Sequence, residues 1–254
     1  MRADQLLTEQ IRQIHAHSRQ TYGSPRVRAA LRARGEAVGR RRVARLMRRA
    51  GRRGVHGLRR RVRTTVADPR ATPATDRVAR AFAPAAIGAP NRLWLADISY
   101  IPTREGWRYL AIILDGFSRR VVGWAMADHL QTDLVRAALR LALQRRRPAA
   151  GLIHHSDRGC QYTSLAFGQH LRAGGLVPST GSVGDGHDNA VAASFFASRN
   201  VGLVDRQDWA TRAAARVAIF AYSEVWYKRQ RLHSTLGYLS PVQFETRTQA
   251  GIAA

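Results

Sequence analysis

Apolar residues recur at helical spacing from the start of the chain. Leu6, Leu7, Ile11 and Ile14 line one face of a segment over Met1 to Gln20, which predicts a helix with one buried side. Tyr22-Gly23-Ser24-Pro25 then reads as a turn and a fresh helix start, with Ser24 as N-cap and Pro25 at the first helical position. This second helix runs to about Arg34, where Gly35 closes it. After Glu36-Ala37-Val38-Gly39, the residues Val43, Leu46 and Met47 share a third apolar face. The plan is helix, turn, helix.

From Gly54 to about Pro90 the periodicity fades, and the stretch through Pro73 and Pro84 reads as a linker. The pattern then changes to strands. Leu93 to Tyr100, Arg108 to Leu114 and Arg120 to Met126 are rich in β-branched and aromatic residues and are closely spaced, as in an antiparallel meander. A helix over Leu134 to Leu143, a strand over Ala150 to His155, a helix over Leu165 to Ala173 and a short strand over Leu176 to Thr180 follow, and two helices, Asn189 to Asn200 and Trp209 to Tyr227, end the series. Three strands, alternating helix and strand, then helices predict an α/β fold: a mixed sheet with flanking helices, preceded by a small all-α helix-turn-helix-like domain. The boundaries read as 1–58 for the basic helical domain, 59–90 for the linker and 91–250 for the core.

Charge gives this plan a partner. The chain carries 42 basic against 17 acidic residues, a formal charge of +25, and residues 1–70 alone hold 20 arginines against four acids. Polyanions bind such surfaces by phosphate contacts and counterion release, so the expected partner is double-stranded nucleic acid. Arg41, Arg42, Arg45, Arg48 and Arg49 surround the apolar face of the third helix and, with Arg26 and Arg28, are the candidate DNA contacts. The plainer reading is a solvated helix face, which would normally mix in acids to offset self-repulsion. A single cysteine, Cys160, excludes an internal disulfide and any CxxC metal motif. No apolar run approaches the ~18 residues of a membrane span, and the N-terminus lacks a secretory pattern. The expectation is a cytoplasmic protein, nucleoid-associated through DNA.

Phosphoryl transfer on DNA commonly uses two divalent ions held by carboxylates, so acids at strand ends matter. Asp97 lies within an apolar strand, where burial of an unpaired carboxylate needs a reason such as a cation, and Asp157 follows another apolar strand. Taken singly, each could be no more than a turn former or helix cap. Their surroundings are more specific. LWLADISYIPT (Leu93 to Thr103), YLAIILDGFSRRVVGW (Tyr109 to Trp124), HSDRGCQYTS (His155 to Ser164), DNAVAASFF (Asp188 to Phe196) and RLHSTLGYLSPVQFE (Arg231 to Glu245) occur in one order. This succession, from about residue 20 to 247, resembles the downstream-frame product of the insertion-sequence-three family of transposases, whose core is related to retroviral integrases.

The resemblance implies a ribonuclease-H-like core, a two-ion Mg²⁺ or Mn²⁺ site, and cleavage and joining of DNA at insertion-sequence ends. It assigns Asp97 and Asp157 as catalytic, metal-binding aspartates. The third ligand, a glutamate, falls at position 193, where this chain has Ala193. Asn200 stands where a basic residue is usual, and Gly202 where an acid is common. The resemblance therefore implies a catalytically crippled enzyme with a weakened metal site, or an inactive DNA-binding protein that occupies element ends or inhibits an active relative. A homo-oligomer is a further possibility. Asp188 reads as an N-cap, Asp185 as a loop acid, Asp115 as a structural turn acid, and His154 and His155 as locally hydrogen-bonded. Cys160 and the tryptophans 94, 107, 124 and 226 read as packing residues. His233 and Tyr238 are open between supporting the core and touching DNA.

Overall fold

The computed structural model describes residues 2–55, 74–157, 159–181 and 189–252. Residues 59–73 of the expected linker, together with Asp185 and Asp188, lie outside the described residues. Three helices come first: α1 (Arg2–His17), α2 (Ser24–Ala33) and α3 (Arg40–Arg49). Their apolar faces meet through Leu7, Ile11, Ile14, Val27, Leu31, Val43, Leu46 and Met47, the clustering that the helical spacing predicts except at Leu6, which lies off the contact and is exposed. Ser24 is not the N-cap of α2. Gly23 takes that place without a side-chain cap, and Ser24 with Pro25 forms the first turn, where proline's fixed φ and missing N–H fit best.

After a short turn, α4 (Pro84–Ile87), five strands form one sheet: β1 (Leu93–Thr103), β2 (Gly106–Asp115), β3 (Val121–Ala127), β4 (Ile153–Ser156) and β5 (Val177–Thr180), in the order β3-β2-β1-β4-β5. The β1-β2-β3 meander is antiparallel, whereas β4 and β5 run parallel to β1. The long helix α5 (Thr132–Arg146) makes the crossover from β3 to β4, and the helices α6 (Cys160–Thr163) and α7 (Leu165–Ala173) precede β5. Parity along β1 divides the two faces. Trp94 and Ala96 join Ala111, Ile113, Val122 and the inner side of α5 and α7. Leu93, Leu95 and Ile101 join the opposite layer, with Leu110, Ile112 and Leu114. Gly123 lets α5 lie directly on β3, since a Cβ there would collide with the carbonyl of Ala138.

That opposite layer is covered by α8 (Ala190–Gly202) and by α9 (Arg212–Phe220) with its π-helical continuation Ala221–Tyr227, and α10 (Pro241–Ile252) follows them in the chain. The last predicted helix therefore begins three residues late and changes its winding. Thr211 caps α9, accepting a hydrogen bond from the Ala214 N–H, and Trp209 is buried ahead of it. The final helix α10 has no counterpart in the sequence expectation. Its buried Glu245 accepts hydrogen bonds from Ser118, Arg120 and Arg146 at 2.6–3.0 Å. Asp115, at the end of β2, takes the Asn91 N–H and both the N–H and hydroxyl of Ser118, the work of a turn-forming acid.

The three N-terminal helices share one apolar cluster with the sheet's helical cover. The Tyr22 hydroxyl accepts the Leu232 N–H at 2.7 Å, and Arg26 Nε donates to the Leu232 carbonyl at 3.0 Å. No described helix is long and apolar enough to cross a membrane.

Candidate active site

The sheet changes from antiparallel to parallel pairing at β1, which stands between β2 and β4. Leu93, Trp94 and Leu95 pair with Ile153, His154 and His155. Continuing that register by two places sets Asp157, just past β4, beside Asp97 on β1, with neighbouring strands about 4.8 Å apart. Both aspartates share the parity of Leu93, Leu95 and Ile153, so both face the layer that contains α8. The sequence-predicted pair is thus brought together by the ladder.

Each carboxylate is tied to the backbone. The Ile98 N–H donates to Asp97 at 2.7 Å, and the Gly159 N–H donates to Asp157 at 3.1 Å. Asp97 keeps part of its surface open yet is crowded by protein. That burial, followed by repulsion from Asp157, pushes its pKa up to about 7, against the opposing pull of the Ile98 N–H and Arg199. Two oxygen-bearing side chains that raise each other's energy fit a hard divalent cation, which would relieve the repulsion. Among the described residues, however, no three His, Cys, Asp or Glu side chains gather to hold a metal.

Helix α8 lies along β1 beside this pair. Val191, Ala192, Phe195, Phe196 and Arg199 are its buried face, and Phe195 packs edge-on against Tyr227 at 4.7 Å between centroids. The helix is pinned to β1 at both ends. Asn189 Nδ2 donates to the Ala96 carbonyl at 2.8 Å, and Arg199 Nη2 donates to Ser99 Oγ at 2.7 Å. With a rise of about 1.5 Å per helical residue and about 3.3 Å per strand residue, the point level with Asp97 falls at residue 192 or 193. Ala192 is buried at that level and Ala193 is exposed beside it.

Arg199 is a feature that sequence reasoning missed. Its side chain is fully buried and lies 4.7 Å over the Phe196 ring, and it donates to Ser99 and to the Asn200 side-chain oxygen. Its Nη1 has no partner. Burial lowers its pKa to about 10 despite the nearby Tyr222 and Asp97. The only signal in the sequence is an arginine at the 195, 196, 199 spacing of the packing face. Tyr162, buried on the other side of the sheet, feels both aspartates as well.

The remaining candidates are dispersed. His155 Nδ1 lies 2.9 Å from Ser179 Oγ, but His154 Nε2 is buried without a partner among the rings of Tyr162 and Phe167. His233 is buried edge-on against Tyr227. Cys160 is exposed instead of packed, because it opens the short α6 at the surface. Trp107 is also exposed, at 52%, since it sits at the outer end of the β1-β2 hairpin with only Tyr100 against its ring. Arg41, Arg48 and Arg49 of α3 point to solvent. Arg42 and Arg45 both pair with Asp4, Arg28 donates to the Val38 carbonyl, and Arg26 is drawn into the contact with Leu232.

Comparison with known proteins gives matches to two kinds of family model. Residues 2–62 match an HTH-like domain, and residues 88–185 and 193–248 match integrase core domains. The chain is 39% identical over 250 residues to the transposase for insertion sequence element IS629 of Shigella sonnei, covering 98% of this chain and 82% of that one. It is 36% identical over 233 residues to transposase InsF for insertion sequence IS3A of Escherichia coli, covering 92% and 80%. Among solved structures, a chain of the simian T-cell lymphotropic virus intasome in complex with a PP2A regulatory subunit superposes with a TM-score of 0.52 at 12% identity, over 92% of this chain and 73% of that one. That likeness is one of fold: the mixed sheet and its helices are integrase-like, of the ribonuclease-H type.

Proposed function

We propose, from the premise that this chain belongs to the insertion-sequence-three family of transposases, that it binds insertion-sequence ends and has lost most of its strand-cleaving and strand-joining power at position 193. The observation that carries the reading is the exposed methyl of Ala193, level with Asp97 on a helix that otherwise keeps its packing. Asp97 and Asp157 are the groups that would hold Mg²⁺ or Mn²⁺. When bound, such ions activate an attacking oxygen and stabilise a leaving one in phosphoryl transfer. Hard cations prefer several oxygen ligands, so a pair of carboxylates makes a weakened site. Asn189 and Arg199 hold α8 against β1, and through it fix where position 193 stands.

Double-stranded DNA, from element ends and target, is the proposed partner. Arg41, Arg48 and Arg49 are the groups best placed for phosphate contacts, since Arg26 and Arg28 already serve intramolecular carbonyls. The proposed organisation is a basic domain over 1–58, a connection over 59–90 and a core over 91–250. The same alanine also favours a second reading, in which the protein binds DNA without chemistry and inhibits an active relative.

A cleavage assay on duplexes carrying element ends, with Mg²⁺ or Mn²⁺, tests the proposal. The native chain should be near background. Loss of even an outer-shell metal partner costs roughly 10–100-fold, so Ala193→Glu should raise metal-dependent nicking by at least that factor. Efficient cleavage by the native chain, abolished by Asp157→Ala, would mean that the site works without a glutamate at 193.

A further inference from the structure

Where α1 and the turn after it meet the end of α8, a cleft of about 350 Å³ opens between Ala16, Arg19, Gln20, Gly202, Arg206 and Gln207. Its polar side chains are two guanidinium groups and two amides, and no carboxylate lines it. Arg206 reaches across the joint, with Nη1 donating to the Arg19 carbonyl at 2.6 Å, and is otherwise exposed. Arg19 lies 5.8 Å from the centre of the Tyr222 ring, and its Nε is buried without a hydrogen-bond partner. Arg19 and Gln20 both have left-handed backbone, with φ of 57° and 59°, a conformation that non-glycine residues adopt at a cost and that clusters at ligand sites.

A second unmatched donor stands behind the first. Tyr222 is fully buried and its hydroxyl has no partner. That hydroxyl lies 3.9 Å from the point where a side chain at Gly202 would begin. A Cβ at Gly202 would touch Thr21 and Tyr222 at 3.5 Å. Buried donors without acceptors are costly, and the unmatched Arg19 Nε beside the Arg206 guanidinium, with no carboxylate lining the cleft, calls for an anionic acceptor. Donors arriving from different sides suit a tetrahedral oxyanion, and guanidinium groups are well matched to phosphate.

We propose that this cleft is a phosphate-binding site, with Arg19 and Arg206 as its cationic donors. The site is separate from the carboxylate pair and goes beyond the strand-transfer reading. Phosphate chemistry is offered both by a nucleic-acid backbone and by free phosphate, and the two sources are separable by experiment.

The test uses the full chain in sodium phosphate and in sodium chloride at matched ionic strength, with thermal unfolding as the readout. Phosphate should raise the melting temperature more than chloride does, since a ligand that binds only the folded state stabilises it by mass action. Two variants reach the cleft by different routes. Arg206→Gln alters an exposed side chain, and Gly202→Glu places a carboxylate in the cleft while leaving both arginines intact. Each should lower phosphate affinity at least about tenfold, as loss of one member of a charge-assisted pair does. If the source is a DNA backbone, the slope of duplex affinity against salt should also fall by about 0.9 in Arg206→Gln, one phosphate contact's share. A lost phosphate response with an unchanged slope assigns the cleft to free phosphate. A native response no larger than that in chloride, or equal responses in the native chain and Arg206→Gln, overturns the proposal.

Discussion

The two strands and the helix that meet at the candidate site have been treated differently. The strand half keeps side chains that work against folding, because Asp157, just past β4, is set beside Asp97 on β1 and Asp97 is forced towards the neutral form. The helix half keeps the side chains that favour folding, Val191, Phe195 and Phe196, while position 193 presents a methyl group. Packing and chemistry are therefore separable along one helix, one turn apart.

The largest effect that would sharpen this contrast is Phe195→Ala. Phe195 is buried against Phe196, Tyr222 and Tyr227, so truncation should cost about 3–5 kcal/mol in denaturant unfolding. A loss below about 1 kcal/mol would show that α8 is not a packing element. Asp97→Asn should act in the opposite direction. A carboxyl whose folded pKa, about 7, lies above its ordinary value of 3.8 stabilises the fold fully below the ordinary value and loses that contribution as pH rises through 7. The native chain should thus become less stable between pH 4 and pH 7, by at most roughly 4 kcal/mol, and Asp97→Asn should flatten that part of the profile. Equal slopes for the two proteins would mean that the aspartates do not interact as described. The smallest effect belongs to Ala193→Glu without metal, which should stay within about 0.5 kcal/mol of the native stability because the position is exposed. A larger loss would place a packing role at 193.

Most of the sheet and the first three helices were legible because their apolar periods are clean. Leu6 to Ile14 and Leu93 to Tyr100 each follow one template, and both elements form. Helix α10 was not legible, because its anchor is a buried charge, Glu245, whose partners Ser118, Arg120 and Arg146 are about a hundred or more residues away. The π-helical turn over Ala221–Tyr227 was hidden for a related reason, since apolar spacing does not distinguish winding within a helix. In the candidate site, the flanking motifs singled out the two aspartates that the β1-β4 register brings together, whereas Arg199 carried no such signal. Its role depends on Ser99, which the pairing of α8 with β1 brings opposite it. Cys160 and Trp107 illustrate the reverse error, in which residue type suggested burial that an edge position denies.

The register that joins β1 to β4 also bears on how fast the chain folds. Leu93 pairs with Ile153, sixty positions further on, whereas Trp94 pairs with Asp115 across a hairpin. Local pairings close cheaply and distant ones late, because the entropy of loop closure must be met before contacts reward it. The meander can therefore assemble while Asp157 is still remote, and the repulsion between the two aspartates arises only when β4 docks. A charged Asp97 therefore opposes the docking of β4 and leaves the earlier meander untouched.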